Sequence, residues 1–374
     1  MNDTAIPLLD LAAQNHPLMP ELRVAFERVA MKGNFILGAE VESFERDVAA
    51  YLGVKHAIGV SSGTDALLVG LMALGLAPGD EVITTPFSFF ATAGCVARLG
   101  AVPVFVDIDP ATYNLDVSRV ERAITKKTKL ILPVHLFGQP CAMAPLQALA
   151  CAHELPIFED AAQAIGARSA IGPVGGLGAL GAFSFFPSKN LGAFGDAGLV
   201  TTNDAALAAH IRLLRSHGAE PKYYNAEIGG NFRLDALQAA ILAVKLPHLD
   251  TWAAGRAQNA ARYTAAFTAA NLPSELLGLP AHVEPGHVWN QYTIRTPRRD
   301  ALKAHLAAEK IGHETYYPVP LHRQKCFASL GYAEGSFPEA ERAAREVLSL
   351  PIFPELGPER LERVVTEVRK ALRA

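Results

Sequence analysis

The chain has 374 residues, 50% hydrophobic and 19% charged, with a formal net charge of -3. This composition excludes a disordered chain, and the lack of any Lys/Arg cluster excludes a nucleic-acid face. At this length a single hydrophobic core has stopped growing, so two domains are expected, residues 1–245 and a smaller unit over 246–374.

Met1-Asn2-Asp3-Thr4 offers neither a basic region nor an apolar h-region, so no secretion signal is read there. The most apolar stretch, Ala66 to Ala77, contains two glycines and is too short to span a bilayer. The expectation is a cytoplasmic protein with no membrane partner. Residues 5–10 form a short extended arm. Helical patterns follow at Leu18–Met31 and Ala39–Leu52, with Gly53 placed to end the second. Then short apolar strands alternate with helices: strand His56–Val60, helix Asp65–Leu74, strand Glu81–Thr85 and helix Phe90–Leu99. Strand Val102–Asp107, helix Val117–Ile124, strand Leu130–His135, helix Ala144–His153 and strand Pro156–Glu159 continue the rhythm. It predicts an α/β fold with a mostly parallel sheet and helices on both faces.

Six glycines between 166 and 181 mark tight turns before the aromatic strand at Phe183, and Gly198–Thr202 reads as its partner. Asp204 is placed to cap a helix running to about Ser216. A helical pattern from Leu234 passes a kink at Pro247, reaches about Ala270 and leads into the smaller C-terminal α+β domain. That domain is expected to hold strand Val288–Arg295, helix Arg299–Lys310, the Thr315–Pro318 turn and a last helix pair. Four cysteines lack C-x-x-C spacing, and Cys95, Cys141 and Cys151 read as reduced and buried in helix-like apolar patterns.

Three segments carry candidate chemistry. In Phe183-Ser184-Phe185-Phe186-Pro187-Ser188-Lys189-Asn190-Leu191-Gly192 an aromatic strand stops at a proline and delivers one lysine into a loop. Its apolar neighbours disfavour the ammonium form, and a neutral amine forms a Schiff base with an aldehyde. A solvated loop lysine is the plain alternative. Ser61-Ser62-Gly63-Thr64 joins a strand to a helix, where free N–H groups suit a phosphate; an ordinary capping turn has the same look. Phe158-Glu159-Asp160-Ala161-Ala162-Gln163 places acids at the C-terminal end of a strand, the edge where open α/β sheets bind ligands. Glu159 or Asp160 as a Mg2+ ligand is the competing assignment, without a second acidic cluster behind it. A phosphate cradle, an acid to keep a ring nitrogen protonated and a lysine for a Schiff base form the set that holds pyridoxal phosphate (PLP).

Further segments extend the pattern: Gly38-Ala39-Glu40-Val41-Glu42-Ser43-Phe44-Glu45, Pro103-Val104-Phe105-Val106-Asp107-Ile108-Asp109, His135-Leu136-Phe137-Gly138-Gln139 and Asn231-Phe232-Arg233-Leu234-Asp235-Ala236-Leu237-Gln238. With them the chain resembles, along nearly its whole length, the DegT/StrS-type PLP-dependent sugar-nucleotide aminotransferases. The resemblance implies PLP fold type I, with Lys189 as the catalytic Schiff-base lysine and Asp160 paired with the pyridine nitrogen. It places Gln163 at the ring hydroxyl and Phe89 on the ring face. Ser62, Gly63, Thr64 and Ser184 would hold the phosphate, joined by Asn231 from the neighbouring subunit of a homodimer with shared active sites. Arg233, Tyr317 and His322 would face the substrate, although a proline-rich packed turn is an equal assignment for Tyr316–His322. The implied substrates are a nucleotide-linked keto-sugar and glutamate.

Pro187-Ser188-Lys189-Asn190 and Asn231-Phe232-Arg233-Leu234 look like the relatives that aminate C3; the alternative is C4 of a 4-keto-6-deoxy sugar. Lys189 argues against a PLP-dependent sugar dehydratase, where histidine typically replaces it, and against a non-catalytic regulatory relative. Ala197 departs from the family's Gly-Asp-Gly-Gly, which leaves open the shape of the loop after Lys189. His135, His287 and His322 lack metal spacing and no metal is expected; Trp252 and Trp289 read as packing residues.

Overall fold

The protein is described over residues 5–373 by a computed structural model, so Met1–Thr4, where no secretion signal is read, lie outside the described residues. The chain opens with α1 (Leu11–Asn15), α2 (Met19–Lys32) and α3 (Ala39–Leu52). Gly53 ends α3 in the left-handed region at φ 68°, which costs a glycine nothing. Next come β1 (His56–Val60), α4 (Gly63–Ala73), β2 (Glu81–Thr84), α5 (Ala91–Arg98) and β3 (Val102–Phe105). β4 (Thr128–Leu132), α6 (Met143–Ala152) and β5 (Phe158–Asp160) complete the alternation. A small ribbon of β6 (Arg168–Ser169) and β7 (Gly172–Pro173) precedes β8 (Leu180–Ser184), β9 (Gly198–Thr202) and α7 (Ala205–Leu214). Asp204 caps α7 by accepting the N–H groups of Ala206 and Leu207 at 2.7 and 3.1 Å, worth about 1 kcal/mol. α8 (Ala236–Lys245) and α9 (Leu249–Ala269) are one run bent through the turn Leu246–His248, where Pro247 has no N–H to continue the ladder. β10 (Tyr292–Arg295), α10 (Arg299–Ala308), α11 (Pro338–Glu346), β11 (Val347–Leu350) and α12 (Pro358–Arg373) close the chain.

Hydrogen bonds order the central strands as β3-β2-β4 and β5-β8-β9-β1. Parallel bridges Ile131–Ile157 and Val134–Asp160 join β4 to β5, giving one sheet ordered β3-β2-β4-β5-β8-β9-β1. Within it β9 runs antiparallel to both neighbours and the other pairings are parallel, as the alternation predicts. Along β8, Leu180 and Ala182 pack with Leu67 and Val69 of α4, while Phe183 packs with Phe44 of α3 and Leu242 of α8. Successive residues point to opposite faces, and both faces are apolar because helices cover both. A separate cluster in the C-terminal part gathers Tyr263, Tyr292, Ile294, Leu302 and Val364. Ile6 of the N-terminal arm packs into it and bridges to Ile311.

Some local expectations are corrected. Residues 117–124 form the short 3-10 turns Val117–Arg119 and Glu121–Ala123, not an α-helix. Asp116 takes the Ser118 N–H, and the β-branched Val117 and Val120 give an α-helix little support. The strand expected from Val288 pairs only from Tyr292, because Val288 and Gln291 give their N–H groups to Gly138 and Phe137 instead. The last two helices are separated by β11, which pairs antiparallel with β10. Cys151 is exposed, whereas Cys95 and Cys141 are buried. An apolar helical pattern identifies a helix without saying which single positions turn outward.

Candidate active site

β5 and β8 are parallel neighbours, so the residues at their C-terminal ends emerge at one sheet edge. β5 ends at Asp160, and β8 runs into the turn that carries Lys189. That turn is closed by bonds from Lys189 N–H to the Phe186 carbonyl and from Ala193 N–H to the Phe185 carbonyl, both 2.8 Å. Lys189 is half-buried, and burial pushes its amine down to about 8 against the opposing pull of Asp160. This setting disfavours a fully solvated lysine.

Asp160 is buried; its Oδ2 accepts the Thr92 hydroxyl at 2.8 Å and its Oδ1 the Ala162 N–H at 3.2 Å. Burial raises its pKa, while Thr92, Ala162, Lys189 and His135 hold it back. A buried acid bonded only to neutral donors is short of a cationic partner, which a protonated ring nitrogen would provide. Thr92 went unnoticed in the sequence, since its hydroxyl matters only through the packing of α5 on the end of β5.

Gln163 accepts the Phe137 N–H on Oε1 at 2.7 Å and donates from Nε2 to the Tyr317 hydroxyl at 3.0 Å. The backbone N–H dictates which end of the amide is which, and the second Nε2 hydrogen stays available for a ring hydroxyl. Phe89 is exposed, its ring 6.3 Å from that of Tyr317, and offers an aromatic surface to a flat group.

Ser62 caps α4 by accepting the Asp65 N–H at 3.0 Å, so the capping assignment holds, and its hydroxyl hydrogen remains free to donate. Among the described residues no carbonyl takes the N–H of Gly63 or Thr64 at the start of α4. A Cβ on Gly63 would lie 2.6 Å from Ser184 Cβ, and one on Gly198 2.3 Å from the Ser62 carbonyl oxygen. Glycine at both positions is what lets the α4 start, Ser184 and β9 close into a cradle. Ala197, the departure from the family pattern, is buried, needs no positive φ and accepts the Phe185 N–H at 2.8 Å. These residues fit PLP: an acid wanting a cation, an amide with a spare donor, and a cradle of donors for a phosphate.

The remaining candidates stand elsewhere. Asn231 and Arg233 line a hollow with Ser61, Gly195, Asp196 and Gln238; Asn231 is exposed and the Arg233 Nε is buried without a partner. His322 is 3% exposed, with Nε2 3.0 Å from Glu341, its ring against Phe337 and Nδ1 unpartnered. Glu159, the competing Mg2+ ligand, is occupied: it accepts the N–H groups of Gly175, Leu177 and Gly178 and pairs with His135. It organises the glycine-rich turns. His305, Glu309 and buried Glu367 converge, but Lys370 already places a cation 2.7 Å from Glu367.

The model of the DegT/DnrJ/EryC1/StrS aminotransferase family matches residues 19–369. The chain belongs to this family. Similar to it is the pleiotropic regulatory protein of Geobacillus stearothermophilus, 52% identical over 98% of this chain and 99% of that one. The UDP-N-acetyl-3-dehydro-alpha-D-glucosamine 3-aminotransferase of Acidithiobacillus ferrooxidans is 45% identical over 99% of each chain. The solved structure of S. venezuelae DesV in complex with a ketimine intermediate matches with a TM-score of 0.95 at 45% identity, covering 99% of each chain. Fold and activity class of this DegT/DnrJ/EryC1/StrS aminotransferase are those of a PLP-dependent enzyme of fold type I.

Proposed function

We propose that this aminotransferase converts a nucleotide-diphosphate-linked keto-sugar, with its carbonyl at C3, into an amino sugar with L-glutamate as donor. The observation that carries the aminotransferase part of this reading is the placement of Lys189 and buried Asp160 at one sheet edge, where burial lowers the amine's pKa to about 8. PLP, when bound, supplies an electron sink for the carbon that loses or gains a proton. Lys189 would hold the cofactor covalently, and its amine, of lowered pKa, would serve as the group that moves a proton there. Asp160 keeps the ring nitrogen protonated, Gln163 donates to the ring hydroxyl and Phe89 covers the ring face. Ser62, Gly63, Thr64 and Ser184 take the phosphate with neutral donors at a helix N-terminus. Towards the substrate, Arg233 suits a diphosphate or carboxylate and Tyr317 keeps a hydroxyl hydrogen, whereas His322 is buried against Glu341 and Phe337 and serves packing in this arrangement.

Two observations support C3: the residues flanking Lys189, which shape the approach of the reacting carbon, and the name of the Acidithiobacillus relative. With glutamate and a panel of keto-sugar nucleotides, the product is expected to carry its amine on C3 by NMR. An amine on C4 of a 4-keto-6-deoxy sugar, with 3-keto sugars untouched, would move the assignment to the alternative. The name of the Geobacillus relative favours a second, regulatory reading. Glutamate-driven bleaching of the bound cofactor's near-ultraviolet to blue absorbance is expected of the enzyme and not of a purely regulatory protein.

In this reading the enzyme is a cytoplasmic homodimer with domains at 1–245 and 246–374, and Asn231 reaches the partner's phosphate site. Among the described residues no helix is long and apolar enough to cross a membrane. Mixing Lys189→Ala with Asn231→Ala protomers rebuilds one intact site per heterodimer. Recovery to about a quarter of wild-type specific activity is expected after random exchange. No gain despite verified exchange would rule out sharing.

A further inference from the structure

Two buried asparagines outside the proposed cofactor contacts connect the Lys189 turn to the C-terminal half. Asn190 is 2% exposed and Asn290 4%. Asn290 Nδ2 donates to Asn190 Oδ1 at 2.9 Å, and Asn190 Nδ2 donates to the Val288 carbonyl at 2.9 Å. Carboxamides are costly to bury unless bonded, and these two bond to each other and to one short backbone segment.

That segment, 288–291, reaches the other side of the site as well. Val288 N–H bonds to the Gly138 carbonyl at 3.0 Å and Gln291 N–H to the Phe137 carbonyl at 3.2 Å. Phe137 is the residue whose own N–H orients Gln163. From behind, buried Arg256 donates to the carbonyls of Trp289, Asn290 and Ile352 at 3.3, 3.5 and 2.7 Å. Lys245 adds a grip two residues past Asn190, donating to the Gly192 carbonyl at 2.5 Å. One braced segment thus touches the Lys189 turn through the asparagine side chains and, through its backbone, the Phe137–Gly138 turn whose Phe137 N–H orients Gln163.

We propose that Asn190 and Asn290 form a positioning clasp that keeps the Lys189 amine in register with Asp160 and Gln163 during amine transfer, an inference that rests on the assignment of Lys189 to the cofactor. A displacement of about 1 Å at the reacting atoms costs roughly a hundredfold in rate. Asn290→Ala removes the inter-asparagine bond and leaves Asn190 bonded to Val288. It is expected to lower kcat by roughly 10- to 100-fold, with KM for glutamate little changed. The double variant Asn190→Ala/Asn290→Ala should be no slower than the worse single one, since both break the same contact.

A second readout needs no turnover. Only the neutral amine attacks pyridoxal phosphate, so capture by the wild-type apoprotein should rise through about pH 8. A loosened turn hydrates the amine, favours the ammonium form and moves that rise to higher pH. Ser349→Ala, which deletes the buried 2.9 Å contact with Thr293 between β10 and β11, is the stability control and should move neither kcat nor the capture profile.

Wild-type kcat within twofold and an unchanged capture profile in Asn290→Ala would overturn the clasp, as would a double variant equal to the product of the singles. If Asn190→Ala does not fold, Asn290→Ala decides alone, and Asn290→Ser serves if alanine is not tolerated. Borohydride reduction of the PLP-loaded wild type and peptide mapping keep the two ideas apart. A label on Lys189 with an unaffected Asn290→Ala sinks the clasp alone, whereas a label on another lysine sinks the assignment beneath it.

Discussion

Replacing Lys189 with alanine is expected to cut turnover by at least about 10^4-fold, the upper range for a positioned proton-transfer group. The change removes the covalent anchor and the proton carrier together. PLP should still bind reversibly through the phosphate cradle and Asp160, and borohydride should leave no fixed adduct by mass spectrometry. The fold should survive. Burial holds the native amine at about 8, below its ordinary 10.5, so folding disfavours the ammonium form. That destabilising contribution is fully present below about pH 8 and disappears as pH rises through 10.5, so at neutral pH Lys189→Ala removes a cost. Substantial transaminase activity in this variant would remove Lys189 from its role.

Asp160→Asn should slow turnover by about 10^2- to 10^3-fold, roughly 3 to 4 kcal/mol of lost electrostatic stabilisation. The amide keeps the shape and can still accept from Thr92 or Ala162, but it carries no charge to hold a proton on the ring nitrogen. Unlike Lys189→Ala, this variant should still fix the cofactor with borohydride, which separates loss of the electron sink from loss of attachment. Burial already pushes the native carboxyl towards its neutral form, so asparagine should fold at least as well. Turnover close to wild type, with folding and cofactor content matched, would refute the assignment.

Much of the site was legible from its local neighbours. The Lys189 turn follows an aromatic strand, the Ser62 cap precedes an apolar helix, and Asp160 ends a short buried strand, each visible within about ten residues. Elsewhere the pattern was ambiguous or silent. Val117–Ala123 has enough apolar positions to resemble a helix, yet its β-branched residues and the Asp116 cap leave it as 3-10 turns. Val347–Leu350 is too short to declare itself, and it becomes a strand only because β10 lies beside it.

The sequence by itself determined the alternation of strands and helices and the helix ends at Gly53 and Asp204, because caps and periodicity are properties of adjacent residues, and it offered Lys189 and Asp160 as the candidate lysine and acid. Only the tertiary structure decided what those groups touch. The Thr92 hydroxyl reaches Asp160 across 68 positions, and Tyr317 meets Gln163 across 154. Asn290 closes on Asn190 across 100 positions, and Ile6 packs among residues of the C-terminal core. Contacts over such separations leave no periodic trace in the chain. They exist because the sheet order β5-β8-β9 and the path of residues 288–291 bring distant backbone together, and buried polar groups there must find partners or stay costly.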